Sequence, residues 1–394
     1  MTSPLLPAAA LLLLPGASLA QADLPSTSEI RAILEATQEA LTAPDPVPGA
    51  TPEAAPDPAP APADPAPADP LPADPAPAEP EPAAPEAGED TTAQQPLPTL
   101  EEIEAARYEG GPLPDGRSAL TVKVQVLLDR AGISPGVVDG WRGGMSESAL
   151  AAFERSRDLP VDGILDAAVW QALGGDAADP IMMRYTLRDV DFEDLNPDLP
   201  SDYADLAALS SIPHRRITER VAEAFHMDED FLIAMNPGVS FASGDTIWVA
   251  STGGAVATPV TRITVDKSTS RLSAYDASGV LVVDYPVTIG SPDTPSPSGT
   301  VTVTAVAPLP TYHYNPDNFV QGENMSALTL PPGPNGPVGS MWIDLSEPSY
   351  GLHGTPEPDS LFSRQSHGCV RLTNWDVEEL SRLVSEGTVV EFQG

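Results

Sequence analysis

From Ala43 to Pro98 the chain contains the run PAPAPADPAPADPLPADPAPAEPEPAAPE, with proline at nearly every second or third position. Each proline removes a backbone donor and restricts φ, so neither a helix nor a sheet ladder can propagate through this stretch. Residues 43–98 therefore read as a disordered, polyproline-II-biased Pro/Ala/Asp/Glu-rich linker, stiffened by repulsion among its carboxylates. At about 3.1 Å per residue such a linker reaches on the order of 100 Å. Every sizeable core must then be built from the residues that follow it.

The segment ahead of the linker is short. The apolar run Leu5–Leu14 falls below the ~20 residues that span a bilayer, and Ser18 and Ala20 offer a cleavage site before Gln21. Residues 1–20 read as a secretory signal peptide, and 21–42 as a short helix, with Ile30, Ile33 and Leu34 on one side, or as unstructured chain. No later stretch is apolar enough to span, so export to a periplasmic or cell-envelope space without a stable membrane span is expected. Between Asp23 and Pro98 the only basic residue is Arg31, and the formal net charge is -38. That balance excludes nucleic acid as a partner, because its phosphates would be repelled.

Residues 115–175 change character. Val122, Val126 and Leu127 recur at helical spacing, as do Ala149, Leu150 and Phe153, then Ala168, Val169 and Leu173. Gly132, Pro135, Gly136, Gly140 and Pro160–Gly163 separate them into a small three-helix domain. Its VVDGWRGGMSESALAAFERSRDLPVDGILD run, with DG turns at Asp139–Gly140 and Asp162–Gly163, resembles the peptidoglycan-binding type 1 domain; the resemblance implies wall binding. Residues 185–250 place Val221, Ala224 and Phe225 on one helix and Phe231, Leu232 and Met235 on a second, closed by Asn236-Pro237-Gly238. This stretch looks like a partial LysM glycan-binding module whose opening strand is not recognisable.

From Thr261 the period switches to two: TRITVD, RLSAYD, VLVVDYPVTIG, SGTVTVTAV and MWIDL read as strands, with Asp276–Gly279 as a hairpin loop. TNWDVEELSRLVSEG is the one clear helix, capped by Thr373 with Asp376 at its third position and stopped by Gly387; Val377, Leu380 and Val384 form its stripe. TVVEF reads as the last strand. The fold class is multidomain α+β, with a mostly-β domain at 260–394 carrying one C-terminal helix.

Cys369, the only cysteine, lies in SHGCVRL within that domain. An exported chain with one thiol cannot form an internal disulfide, so the thiol is an inert core filler, a metal ligand or a nucleophile. On a strand, His367, Cys369 and Arg371 share one face, and Ser366, Gly368, Val370 and Leu372 the other. Such a polar row does not read as core. His313, His353, His367 and Cys369 lack metal-site spacing, so no metal and no cofactor is expected. A nucleophile fits better: Arg371 favours the thiolate, and a histidine takes the proton. His367, two residues away on the same strand, is poorly aimed at the sulfur. His353 in SYGLHGTPEP, brought in from another segment, suits the role of base, with His367 shaping the site or guiding substrate.

The stretch HGTPEPDSLFSRQSHGCVRL, His353 to Leu372, resembles the YkuD-type L,D-transpeptidase signature, as do TPSPSGTVTV and PTYHYNPDNF upstream. The resemblance spans about residues 261–392 and implies a β-rich, sandwich-like catalytic domain with a substrate-capping segment. It implies that Cys369 is the nucleophile and His353 its base, with Gly354 giving an orienting carbonyl and His367 and Arg371 supporting contacts. Backbone N–H groups around Gly368 and Cys369 would form the oxyanion hole, and Ser366 would brace the loop. Tyr312 and Trp342 line the cleft or pack in the core. The implied chemistry is acyl transfer on peptidoglycan: a tetrapeptide stem forms a thioester, D-alanine leaves, and an acceptor amine completes a 3→3 cross-link. D-amino-acid exchange, L,D-carboxypeptidase action, attachment or release of wall proteins, and a non-catalytic wall-binding scaffold are the alternatives.

Overall fold

The computed structural model describes residues 97–394, apart from 292–293, 315–325, 363–365 and 367. The signal peptide, the short helix and residues 43–96 of the linker lie outside the described residues.

The helical region begins earlier than the apolar periodicity indicates. Helix α1 (Leu100–Ala105) is opened by a capping box: Thr99 Oγ1 accepts from Glu102 N–H at 3.2 Å, and Glu102 Oε2 accepts from Thr99 N–H at 2.7 Å. It buries Ile103 completely. Helices α2 (Ala119–Arg130), α3 (Gly144–Ser156) and α4 (Ala167–Ala172) follow where three were expected. Ser118 caps α2 and Asp166 caps α4. In α4 it is Val169 and Trp170 that enter the core, while Ala168 is exposed.

Strand β1 (Met182–Thr186) is the strand that the sequence hides, and it pairs antiparallel with β2 (Thr246–Ala250). Between them lie α5 (Tyr203–Ala207), α6 (Ile217–Ala224) and α7 (Glu229–Met235). Val122 and Phe153 from the first helices share one continuous core with Ile181, Phe225, Phe231 and Ile247.

The C-terminal body is a curled eight-stranded sheet. Its strands are β3 (Arg262–Asp266), β4 (Arg271–Tyr275), β5 (Leu281–Pro286), β6 (Gly299–Pro308), β9 (Met341–Leu345), β10 (Gly351–His353), β11 (Val370–Arg371) and β12 (Val389–Gln393), in the order β11-β10-β9-β6-β12-β3-β4-β5. The β3–β12 and β10–β11 neighbours are parallel and the rest antiparallel. A separate ribbon pairs β7 (Tyr312–Tyr314) with β8 (Leu328–Leu330). Helix α8 (Asn374–Leu383), capped by Thr373, covers one face through Val377, Leu380 and Leu383. It ends four residues before Gly387: Val384 is already extended, and Gly387 turns the chain into β12. Among the described residues no helix is long and apolar enough to cross a membrane.

The helical body is joined to the sheet by buried polar contacts. Ser134 N–H donates to Asp284 O at 2.8 Å, and Asp284 N–H donates to Gly132 O at 2.9 Å. Ser134 Oγ donates to Asp376 Oδ2 at 2.9 Å on α8. Burial pushes the Asp376 carboxyl up to about 7. Its proton is therefore held in the folded state at pH values where the unfolded chain, with a pKa near 3.8, has lost it. Stability from this group is full below the unfolded value and is lost as pH rises toward 7. Urea unfolding at pH 5 and pH 8 is expected to show the wild type losing more stability across that interval than Asp376→Asn, which cannot ionise. Equal losses in the two proteins would contradict this.

Candidate active site

Strands β10 and β11 run side by side, with Leu352 opposite Val370 and His353 opposite Arg371. Paired residues project to the same side of a sheet and successive residues to opposite sides. Leu352, Val370 and Leu372 accordingly enter the main core under α8. Cys369 faces the other way and joins a second cluster with Tyr312, Tyr314, Leu330, Val338 and Trp342. His353, Cys369 and Arg371 thus share one face, although His353 comes from a different strand.

The imidazole is held on two sides. His353 Nδ1 lies 2.7 Å from the Gly354 carbonyl oxygen. A carbonyl can only accept, so Nδ1 carries the hydrogen and Nε2 of the neutral ring presents its lone pair. Trp342, opposite His353 across β9 and β10, stacks on the ring with centroids 5.5 Å apart and planes 14° from parallel. His353 is fully buried and Cys369 is 4% exposed, with Sγ 3.9 Å from the Ser349 carbonyl oxygen.

The turn that carries the thiol depends on glycine. Gly368 has φ +117, and a Cβ there would sit 2.6 Å from the Tyr350 ring. This conformation also directs its N–H back into the loop, where it donates to Ser366 Oγ at 3.1 Å. The sequence reading aimed that N–H at an oxyanion; in the structure it is already engaged. Ser366 Oγ donates in turn to Cys369 O at 2.5 Å, and Ser366 N–H donates to Ile289 O at 2.9 Å. Ser366 is therefore tied into the loop on both sides. Arg371 is fixed through its backbone, exchanging two 3.0 Å hydrogen bonds with Thr288. His367 lies outside the described residues. His313 sits exposed on β7, with Nδ1 3.1 Å from Thr329 Oγ1. Tyr312 and Trp342, assigned from sequence to cleft or core, are both buried.

Residues 196–214, between β1 and α6, are a feature of this site that no sequence motif marked. Leu199, Tyr203, Leu206 and Ile212 belong to the same cluster as Cys369. Tyr203 packs edge-on against Tyr312 and Tyr314, at 6.3 and 5.2 Å between centroids. Ile212 N–H donates to Pro332 O at 2.8 Å, and Asn335 N–H donates to Ile212 O at 3.2 Å, which clips the segment to the sheet body. The accessory body thereby helps to close the thiol's surroundings. Tyr203→Ala is expected to raise the second-order rate of iodoacetamide alkylation at Cys369 by roughly threefold to tenfold, through easier local opening. An unchanged rate would show that the segment does not limit access.

Residues 260–392 match the model of the YkuD L,D-transpeptidase catalytic domain, and residues 117–173 match that of a peptidoglycan binding domain. The chain is 29% identical over 175 residues to the Bacillus licheniformis protein named L,D-transpeptidase YkuD, covering 44% of this chain and 90% of that one. It is 30% identical over 133 residues to the Bacillus subtilis protein named L,D-transpeptidase YqjB, covering 32% and 68%. Among solved structures, the L,D-transpeptidase from Xylanimonas cellulosilytica aligns with a TM-score of 0.33 and 14% identity, over 73% of this chain and 99% of that one.

Proposed function

The chain belongs to the L,D-transpeptidase family, and we propose that Cys369 is its acyl-carrying nucleophile and His353 the base. The observation that carries this reading is the His353 ring, its Nδ1 hydrogen committed to Gly354 O, on the same face as Cys369, which immediately precedes the adjoining strand.

His353 Nε2 takes the thiol proton, and the sulfur attacks the carbonyl that joins the third residue of a peptidoglycan tetrapeptide stem to its terminal D-alanine. A tetrahedral oxyanion forms, for which the Cys369 N–H is the backbone donor we assign, since the Gly368 N–H is engaged by Ser366. The C–N bond then breaks, the imidazolium returns its proton to the departing amine of D-alanine, and a thioester remains. An acceptor amine attacks that thioester, gives its proton to His353 and expels the thiolate. Arg371, on the same face, supplies positive charge that favours the thiolate.

The helical unit at 117–173 supports peptidoglycan as the partner to which the enzyme is anchored. In the same reading, residues 1–20 direct export to the envelope and the linker at 43–98 gives reach over an immobile wall, both resting on composition alone. Incubating the purified protein with tetrapeptide muropeptides, followed by mass spectrometry, tests the reaction. Dimers with 3→3 links are the expected product. Tripeptide monomers would reassign the chain as an L,D-carboxypeptidase, exchanged termini as a D-amino-acid exchanger, and unchanged substrate would reject this activity.

A further inference from the structure

We propose that Glu223, on α6 of the accessory body, is a positioning residue for the catalytic base, acting through Asn374 and Gly354. This deepens the reading of His353 as the base and rests on it.

The chain of contacts starts at the imidazole. His353 Nδ1 is oriented by the Gly354 carbonyl, so the plane of the peptide after Gly354 sets the direction of Nε2. Gly354 has no freedom to shift: a Cβ on it would lie 2.2 Å from Asn374 Oδ1, and a Cβ on Gly339 would lie 2.1 Å from the same oxygen and 2.6 Å from the Gly354 carbonyl carbon. The Asn374 carboxamide is thus lodged between two backbones at the position where the His353 acceptor is made. Asn374 is 2% exposed.

Partners of one sign fix the orientation of that carboxamide. Oδ1 accepts from Ser340 N–H at 3.1 Å. Nδ2 donates to both Glu223 carboxylate oxygens at 3.2 Å and to Pro334 O at 3.2 Å. A backbone N–H can only donate and a carboxylate can only accept, so a flipped amide would meet repulsion at both ends. Glu223 is itself held: its Oε2 lies 3.2 Å from His214 Nε2, while His214 Nδ1 accepts from Arg220 Nε at 3.4 Å. With Nδ1 accepting, Nε2 carries the hydrogen and donates to Glu223. One turn earlier on α6, Glu219 Oε1 accepts from Asn335 Nδ2 at 2.7 Å, so the same helix face holds a second carboxamide of the catalytic body.

Loss of the Glu223 acceptor frees one end of the Asn374 amide, and with it the tilt of the His353 acceptor. Misplacement of a catalytic group by a fraction of an ångström lowers turnover without weakening substrate binding. The test uses the full chain on tetrapeptide muropeptides, together with the pH dependence of Cys369 alkylation by iodoacetamide. Glu223→Ala is expected to lower kcat by roughly tenfold to a hundredfold with KM within about twofold, and to shift the alkylation profile. Glu223→Gln, which keeps a carbonyl acceptor for Asn374 Nδ2, is expected to restore most of kcat. If Glu223→Ala does not fold, Glu223→Asp carries the same readouts, with the acceptor withdrawn by one methylene.

Unchanged kcat and an unchanged alkylation profile would overturn the proposal. So would a loss that the Gln variant shares and that follows the melting temperature, because that is a structural role only. A wild-type protein with no turnover, or one indifferent to His353→Gln, would instead refute the assignment of the base.

Discussion

Replacing Cys369 by alanine is expected to lower transpeptidation by roughly 10⁴-fold or more, since the acyl group then has no covalent carrier. His353→Gln is expected to approach the same loss, and the double variant to lose little beyond either single one. Groups that act in one proton-transfer unit are not additive. The physical basis is local: Nδ1 is committed to Gly354 O at 2.7 Å, so Nε2 is the ring atom left to accept a proton, and the Trp342 stack holds the ring in place. Turnover of muropeptides by each variant, with intact-mass detection of a thioester on the wild type, measures this. Losses in the two single variants that multiply in the double would mean that thiol and imidazole work independently. A Cys369→Ala protein that retains turnover would remove the thiol from the mechanism.

The second large effect concerns stability. Arg271 on β4 and Asp284 on β5 form an ion pair with side chains only 1% and 2% exposed. Arg271 Nη2 also donates to Ser134 O at 2.9 Å, across to the helical body, and Ser273 Oγ donates to Asp284. A buried pair adds little over an apolar one, but removing a single partner strands the other charge out of water. Asp284→Ala is therefore expected to cost about 3–5 kcal/mol in urea unfolding. The paired replacement Arg271→Met with Asp284→Leu is expected to recover most of that loss, because no charge is left behind. A loss below about 1 kcal/mol for Asp284→Ala would mean that water reaches the guanidinium.

Much of the site can be read along the chain because its parts are near-neighbours. Cys369, Arg371 and the Thr373 cap lie within five residues, and strand alternation alone separates Cys369 from Val370 and Leu372. The glycine after His353 marked the orienting carbonyl. Helix α1 was missed although T-L-E-E is a capping box, because it stands at the edge of the proline-rich run and is too short to show a periodicity. The direction of the Gly368 N–H follows from φ +117 and the position of Ser366, neither of which a spacing reveals.

The linear order of residues determined which stretches alternate as strands, because alternation follows from backbone sterics and a period of two, and it singled out Cys369 and His353 as the candidates for the chemistry. Packing alone determined that segment 196–214 joins the apolar cluster that contains Cys369, that Glu223 meets Asn374, and that Ser134 enters the Arg271–Asp284 pair. Those partners lie more than a hundred residues apart. Their meeting depends on how two bodies dock, and no local pattern encodes a docking angle.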